Sequence, residues 1–153
     1  MNVGYLQKRE IDESMRRKRT LRESVQARIV ERRDDVFLPR EFRDLGGEDQ
    51  VLRVLRGLMR DGQLVRLGYG VYGRAEASRL SGQPILAARG GFLGAARQAL
   101  DKLGVPWEQT EAQAAYNAGR STQVPVNPAV RIKNSRFVRR LKYQDTELRL
   151  ERR

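Results

Sequence analysis

The apolar positions of this chain first fall into a helical rhythm at residues 20–33, where Leu21, Val25 and Ile29 recur every fourth residue and line one side of an α-helix. Thr20 and Glu23 have the spacing of a capping box, and Asp34-Asp35 ends the pattern. Val36-Phe37-Leu38-Pro39 reads as a short apolar link, with Pro39 in the first turn of a short helix over 39–44 that turns Phe42 inward. Gly46-Gly47 forces a turn. Residues 48–60 carry the strongest pattern. With Val51 at the centre of the buried side, steps of about 100° place Val54, Leu55 and Leu58 beside it and Leu52 and Met59 at the edge. Gln50, Arg53, Arg56 and Arg60 then fall on the opposite side. Asp61-Gly62 stops this helix. Leu64-Val65-Arg66-Leu67 and Val71-Tyr72-Gly73-Arg74 follow as two strands, joined by the turn Gly68-Tyr69-Gly70.

Beyond residue 75 the pattern weakens. Ser81-Gly82-Gln83-Pro84 is loop chemistry and marks a domain boundary. A helix over Gly91 to Leu103 is expected to bury Phe92, Ala96, Ala99, Leu100 and Leu103 before Gly104 ends it. Val105-Pro106-Trp107 is a link or strand. Thr110 with Gln113 caps a helix from Glu111 to Ala118, ended by Gly119. After the polar loop from Arg120 to Pro128, Val130 and Ile132, Val138 and Leu141, and Leu148 and Leu150 alternate as in a small antiparallel sheet with a turn at Gln144-Asp145. The expected fold is α+β: a basic arm or helix start at 1–19, a winged helix-turn-helix at 20–78 and an α+β domain with antiparallel strands at 85–153.

Charge sharpens this picture. Against 19 Asp+Glu stand 31 Lys+Arg, a formal net charge of +12 that calls for an anionic partner: nucleic acid, an anionic membrane surface or an acidic protein. The chain has neither cysteine nor histidine, which removes disulfides, thiolate nucleophiles, Cys/His zinc sites and His-based catalysis. No run approaches the roughly 18 apolar residues of a membrane span, so a cytoplasmic protein without membrane contact is expected.

The arginine-faced helix and the hairpin together suit DNA. The major groove admits one helix, Gln pairs with adenine and Arg with guanine. Gln50 and Arg53, near the helix start, are expected to read bases, and Arg56 and Arg60 to meet phosphate. Asp49 is expected to cap the helix. Arg66, Tyr69 and Arg74 make the wing, which touches sugar-phosphate or the minor groove. Tyr69, between two glycines, either makes such a contact or packs; Tyr72 belongs in the core.

The stretches Val36-Phe37-Leu38-Pro39-Arg40-Glu41-Phe42, Val51-Leu52-Arg53-Val54-Leu55-Arg56-Gly57-Leu58 and Gly62-Gln63-Leu64-Val65-Arg66-Leu67-Gly68-Tyr69-Gly70-Val71-Tyr72 resemble the N-terminal winged helix of AbiEi-type antitoxins of type IV toxin–antitoxin systems. Ala115-Tyr116-Asn117 followed by Gly119-Arg120-Ser121-Thr122-Gln123-Val124-Pro125 resembles a segment of the C-terminal part in short members of that group. The resemblance spans roughly residues 20–150. It implies a winged helix that represses its own promoter, a neighbouring nucleotidyltransferase-like toxin, and a C-terminal part that counters toxicity, often without a stable complex.

Two further surfaces stay open in the sequence. Arg120, Ser121, Thr122 and Gln123 form either a polar contact surface or a helix-ending turn whose hydroxyls satisfy local backbone. Arg139, Arg140 and Lys142 of the basic tail either extend the DNA footprint or are solvated. A homodimer on an inverted repeat and two monomers side by side both suit the reading. The competing reading is an interaction module docked on an acidic partner, such as the toxin, with non-specific nucleic-acid binding. An RNA-binding protein is a third reading, disfavoured because no aromatic pair on an exposed sheet is evident for stacking bases. No cofactor, metal or enzymatic activity is expected: Glu108, Glu111, Asp145 and Glu147 have no metal-nuclease spacing.

Overall fold

A computed structural model describes residues 19–125, 127–134 and 136–152. The basic arm expected at the N-terminus lies, apart from Arg19, outside the described residues. The chain is an α+β protein. Its elements are helix α1 (Leu21–Glu31), strand β1 (Val36–Phe37), a 3-10 turn (Pro39–Phe42), helix α2 (Glu48–Arg60), strands β2 (Leu64–Gly68), β3 (Val71–Ala77) and β4 (Pro84–Leu86), helix α3 (Gly91–Lys102), strand β5 (Trp107–Glu108), helix α4 (Glu111–Asn117), and strands β6 (Ala129–Ile132), β7 (Lys142–Tyr143), β8 (Thr146–Glu147) and β9 (Arg149–Arg152).

The helix starts follow from local chemistry. Thr20 accepts a hydrogen bond from the Glu23 backbone N–H, and Thr110 accepts one from that of Gln113, each satisfying a donor that the first helical turn leaves unpaired. Before the 3-10 turn, Glu41 accepts from the Leu38 N–H at 2.7 Å. The first two apolar stripes close around the same centre: Val25 and Ile29 of α1, Phe42, and Val51, Leu55 and Leu58 of α2 form one core with Phe37, Leu64 and Tyr72.

The segment expected as a link is in fact β1. It pairs antiparallel with β3, placing Val36 opposite Gly73 and Phe37 opposite Tyr72. Strand β2 pairs with β3 on the order β1-β3-β2, with an irregularity between Arg66 and Gly68. Because successive strand residues point to opposite faces, this sheet divides the apolar interior in two. Phe37, Leu64 and Tyr72 face α1 and α2. Val36, Leu38, Leu67 and Val71 face a second core built from Ala95, Ala96, Ala99 and Leu100 of α3, Val130 and Ile132 of β6, and Phe137, Leu141 and Leu148.

Three expectations are corrected by this arrangement. Ser81-Gly82-Gln83-Pro84 does not separate domains: it lies in the turn of the β3–β4 hairpin, where Ser78 and Gln83 bond at 2.8 Å, and the second core joins residues from both sides of it. The tail sheet is mixed, because β6 pairs antiparallel with β5 but parallel with β9. A parallel pair needs a crossover of a dozen or more residues, and the chain between Ile132 and Arg149 supplies it, including the β7–β8 hairpin turned at Gln144-Asp145. On α3, Phe92 and Leu103 are half-buried while Ala95 is fully inside; alanines at 95, 96 and 99 set that helix close to the sheet.

Arg74, expected on the wing, has a different task. Its Nη2 donates to the carbonyls of Ile29, Arg32 and Asp34 at 2.8, 2.9 and 2.6 Å, closing the end of α1. Its guanidinium lies 5.4 Å from the Phe37 ring centroid and 3.7 Å from the Asp35 carboxylate. Strand alternation explains this, since residue 74 points to the same face as Tyr72, toward α1. A charged donor bonded to carbonyls at and just beyond a helix end, which the helix itself leaves unpaired, contributes more than a neutral one. We expect Arg74→Ala to lower unfolding stability by about 2–4 kcal/mol in urea denaturation, with Arg74→Lys recovering only part, because an ammonium lacks the planar fork.

Candidate nucleic-acid interface

Helix α2 is anchored by its apolar side and by its ends. Asp61, at its C-terminus, pairs with Arg22 of α1, and Gln26 bonds Gln63 at 2.9 Å. Gln50, Arg53, Arg56 and Arg60 are all exposed, as the sequence pattern required. They do not share one sector, however. Gln50 lies toward α1: its Oε1 and the Leu21 side chain both border Gly46, where Leu21 leaves little room for a Cβ. Arg56 lies on the other flank, about 120° away at helical spacing, and lines a cleft shared with the β2–β3 wing. Arg53 and Arg60 point out between them. Asp49 does not cap α2, whose N-cap is Gly47 with no side-chain hydrogen bond; it sits in the first turn, where a carboxylate is favoured by the helix dipole.

The cleft between α2 and the wing has a volume of about 250 Å³ and is lined by Glu48, Leu52, Arg56 and Met59 on one side and by Arg66, Tyr69 and Tyr72 on the other. Tyr72 forms its floor and is buried, whereas Tyr69 at the wing tip is 81% exposed. At that exposure Tyr69 packs into neither core. Arg66 is exposed on the same face of the hairpin as Tyr72.

The basic tail comes to the wing, which no local pattern announced. The Arg139 guanidinium donates to the Tyr69 carbonyl. The Arg140 carbonyl would lie 2.7 Å from a Cβ at residue 68, so only glycine fits that strand position. Arg140 in turn holds Glu147 through a two-pronged bond of 2.6 and 3.0 Å. Arg139, Arg140 and Lys142 therefore stand beside the wing, on the side away from α2. Arg120, Ser121, Thr122 and Gln123 belong instead to the turn closing α4. There the Arg120 N–H bonds the Ala115 carbonyl at 2.9 Å and Ser121 Oγ accepts from the Gln123 N–H at 3.2 Å, the helix-ending arrangement.

Sequence reasoning missed a polar junction behind the site. Lys102 Nζ of α3 donates to Asp34 at 2.9 Å, to the Val36 carbonyl at 2.6 Å and to Glu41 at 2.7 Å, and lies 5.2 Å from the Phe37 ring. Gln98 accepts from the N–H groups of Asp35 and Val36 at 2.7 and 2.6 Å. Only the acid run Asp34-Asp35 hinted at it.

Comparisons with protein-family models, with curated proteins and with solved structures find no match for this chain. Among the described residues, no three His, Cys, Asp or Glu side chains converge as a metal site, and no helix is long and apolar enough to cross a membrane.

Two exposed carboxylates are held below the ordinary range, Asp44 by its hydrogen bonds to Arg28 and Glu147 by those to Arg140. A carboxylate whose folded-state pKa is lowered stabilises the fold fully above its unfolded-chain pKa, and that contribution is lost as pH falls through the folded value. The charge pairing of Arg140 with Glu147 is thus favoured at neutral pH and is lost on acidification. In an NMR titration, the Glu147 carboxyl midpoint should rise toward the ordinary glutamate value in Arg140→Gln; an unchanged midpoint would show that the pair is not formed in solution.

Proposed function

We propose that this protein is a sequence-specific, duplex-DNA-binding transcriptional regulator of the winged-helix kind. Helix α2 enters the major groove and the β2–β3 wing grips the sugar-phosphate backbone. The observation that carries this reading is the exposed arginine-rich side of α2 standing across a cleft from a wing that bears Arg66 and an exposed Tyr69. The net charge of +12 supports it, since neutralising phosphates dominates DNA affinity. Gln50 and Arg53, in the N-terminal half of α2, read base edges. Arg56, in the cleft, and Arg60, at the helix end, contact phosphate.

The resemblance of residues 36–72 to the winged helix of AbiEi-type antitoxins extends the proposal: a cytoplasmic repressor of its own promoter, with a nucleotidyltransferase-like toxin as the protein it counters. The geometry around α2 carries the DNA-binding part alone. The antitoxin part rests on the resemblance.

Binding to the DNA upstream of the protein's own gene, compared with a scrambled duplex by fluorescence anisotropy over a salt series, tests the reading. Tight, selective binding with a steep salt slope is expected. Equal, weak binding to both would move the charged surface to an acidic protein partner. Arg53→Ala with Gln50→Ala should remove about 1–3 kcal/mol of discrimination per lost base contact. Arg66→Ala should weaken binding to both duplexes and reduce the salt slope by about one.

A further inference from the structure

The wing has a second cationic face, which shares Arg66 and Tyr69 with the α2 cleft and adds residues of the tail. A cleft of about 450 Å³ lies between the wing and the β7–β8 hairpin, lined by Arg66, Gly68, Tyr69, Arg140, Lys142 and Gln144. It is built rather than incidental. Gly68 lets the Arg140 backbone approach the wing, Arg139 fastens the tail to the Tyr69 carbonyl, and Leu141 is buried beneath in the second core. Arg66 lines this cleft as well as the one beside α2. In the free protein Glu147 occupies the fork of Arg140, with bonds of 2.6 and 3.0 Å, and both side chains remain open to solvent at 78% and 39%.

We propose that this cleft is a second phosphodiester site, in which a backbone phosphate of the duplex gripped by the wing displaces Glu147 from Arg140. A phosphate offers that planar fork the same two-oxygen geometry as a carboxylate. The site then gains Lys142 and the Tyr69 hydroxyl as further donors. A duplex suits it better than an isolated anion, because DNA carries a charge every 1.7 Å or so of its axis and Arg66 already joins the two clefts. Glu147 acts as an internal competitor that occupies Arg140 until a polyanion arrives, while Arg66 and Lys142 leave the cleft net cationic. This inference rests on the DNA-binding reading.

The test is duplex affinity over a salt series for the wild type, Lys142→Gln, Glu147→Gln and Asp145→Asn. Lys142→Gln should weaken binding and lower the salt slope by about one without changing sequence preference. Glu147→Gln should tighten binding by up to about fivefold, the worth of an exposed ion pair. Asp145→Asn, which removes a charge from the same hairpin without touching Arg140, should tighten it less. If the wild type binds the duplex selectively but Lys142→Gln leaves affinity and slope unchanged, the second site is overturned while the DNA-binding reading stands. Equal gains from Asp145→Asn and Glu147→Gln would overturn the displacement of Glu147. If the wild type fails to bind any duplex, both readings fall. A Lys142→Gln loss confined to single-stranded RNA would assign the cleft to a different polymer and overturn it.

Discussion

The structure depends on a small sheet that is buried on both faces. Val36, Leu38, Leu67 and Val71 face one core while Phe37, Leu64 and Tyr72 face the other. A slip of one residue in the β2–β3 pairing would exchange the faces of the slipped strand, sending Leu64 and Leu67 of β2 into the wrong cores, so both cores enforce a single register. That register fixes which side of the wing carries Arg66, and at what height Tyr69 stands relative to α2. The position of the candidate interface is therefore a consequence of packing several residues away from it. Loss of apolar contact on either face, not only on the α2 side, would loosen the wing.

A polar brace complements this wall. The chain between α1 and the 3-10 turn carries Asp34 and Asp35, which would be costly to half-bury without partners. Lys102, Gln98 and Arg74 satisfy that stretch: its carboxylates, two of its N–H groups and its carbonyls. Two of these partners come from α3 and one from β3, so the bend after α1 is held from both halves of the chain. The two halves are coupled by hydrogen bonds as well as by the shared sheet.

What the sequence made legible follows from range. Helix α2 was legible because its period repeats along 13 residues, more than three turns, and the threonine caps because donor and acceptor lie three residues apart. The β7–β8 turn at Gln144-Asp145 was legible for the same reason; Gln144 there has a φ of 53°. The parallel pairing of β6 with β9 was not, since alternation of apolar residues is the same in parallel and antiparallel strands. Arg74 was misread because its position beside a hairpin and its charge are equally consistent with a solvent-facing wing. Only the location of α1's last carbonyls separates the two. The convergence of Arg139 and Arg140 on the wing tip, about seventy residues away in sequence for the Arg139–Tyr69 contact, leaves no local trace beyond a glycine at 68.

The same distinction governs how the net charge of +12 is to be used. Several of the arginines behind it are committed internally: Arg28 to Asp44, Arg32 to Glu41, Arg74 to the end of α1, and Arg152 to the carbonyls of Asn134 and Phe137. A charge count treats these like the arginines of α2, yet an arginine that closes a helix or joins two segments adds little to the capture of an anion. The relevant quantity is the set of cations exposed and directed to one side, which is why Arg53, Arg56, Arg60 and Arg66 carry the DNA-binding reading and the total does not. Arg140 stands between the two classes: exposed enough to reach a phosphate, but matched in the free protein by one exposed carboxylate. An exposed pair of this kind is worth so little in water that a polyanion can exchange for its acid partner, whereas the half-buried ties of Arg74 and Lys102 cannot be exchanged without opening the fold.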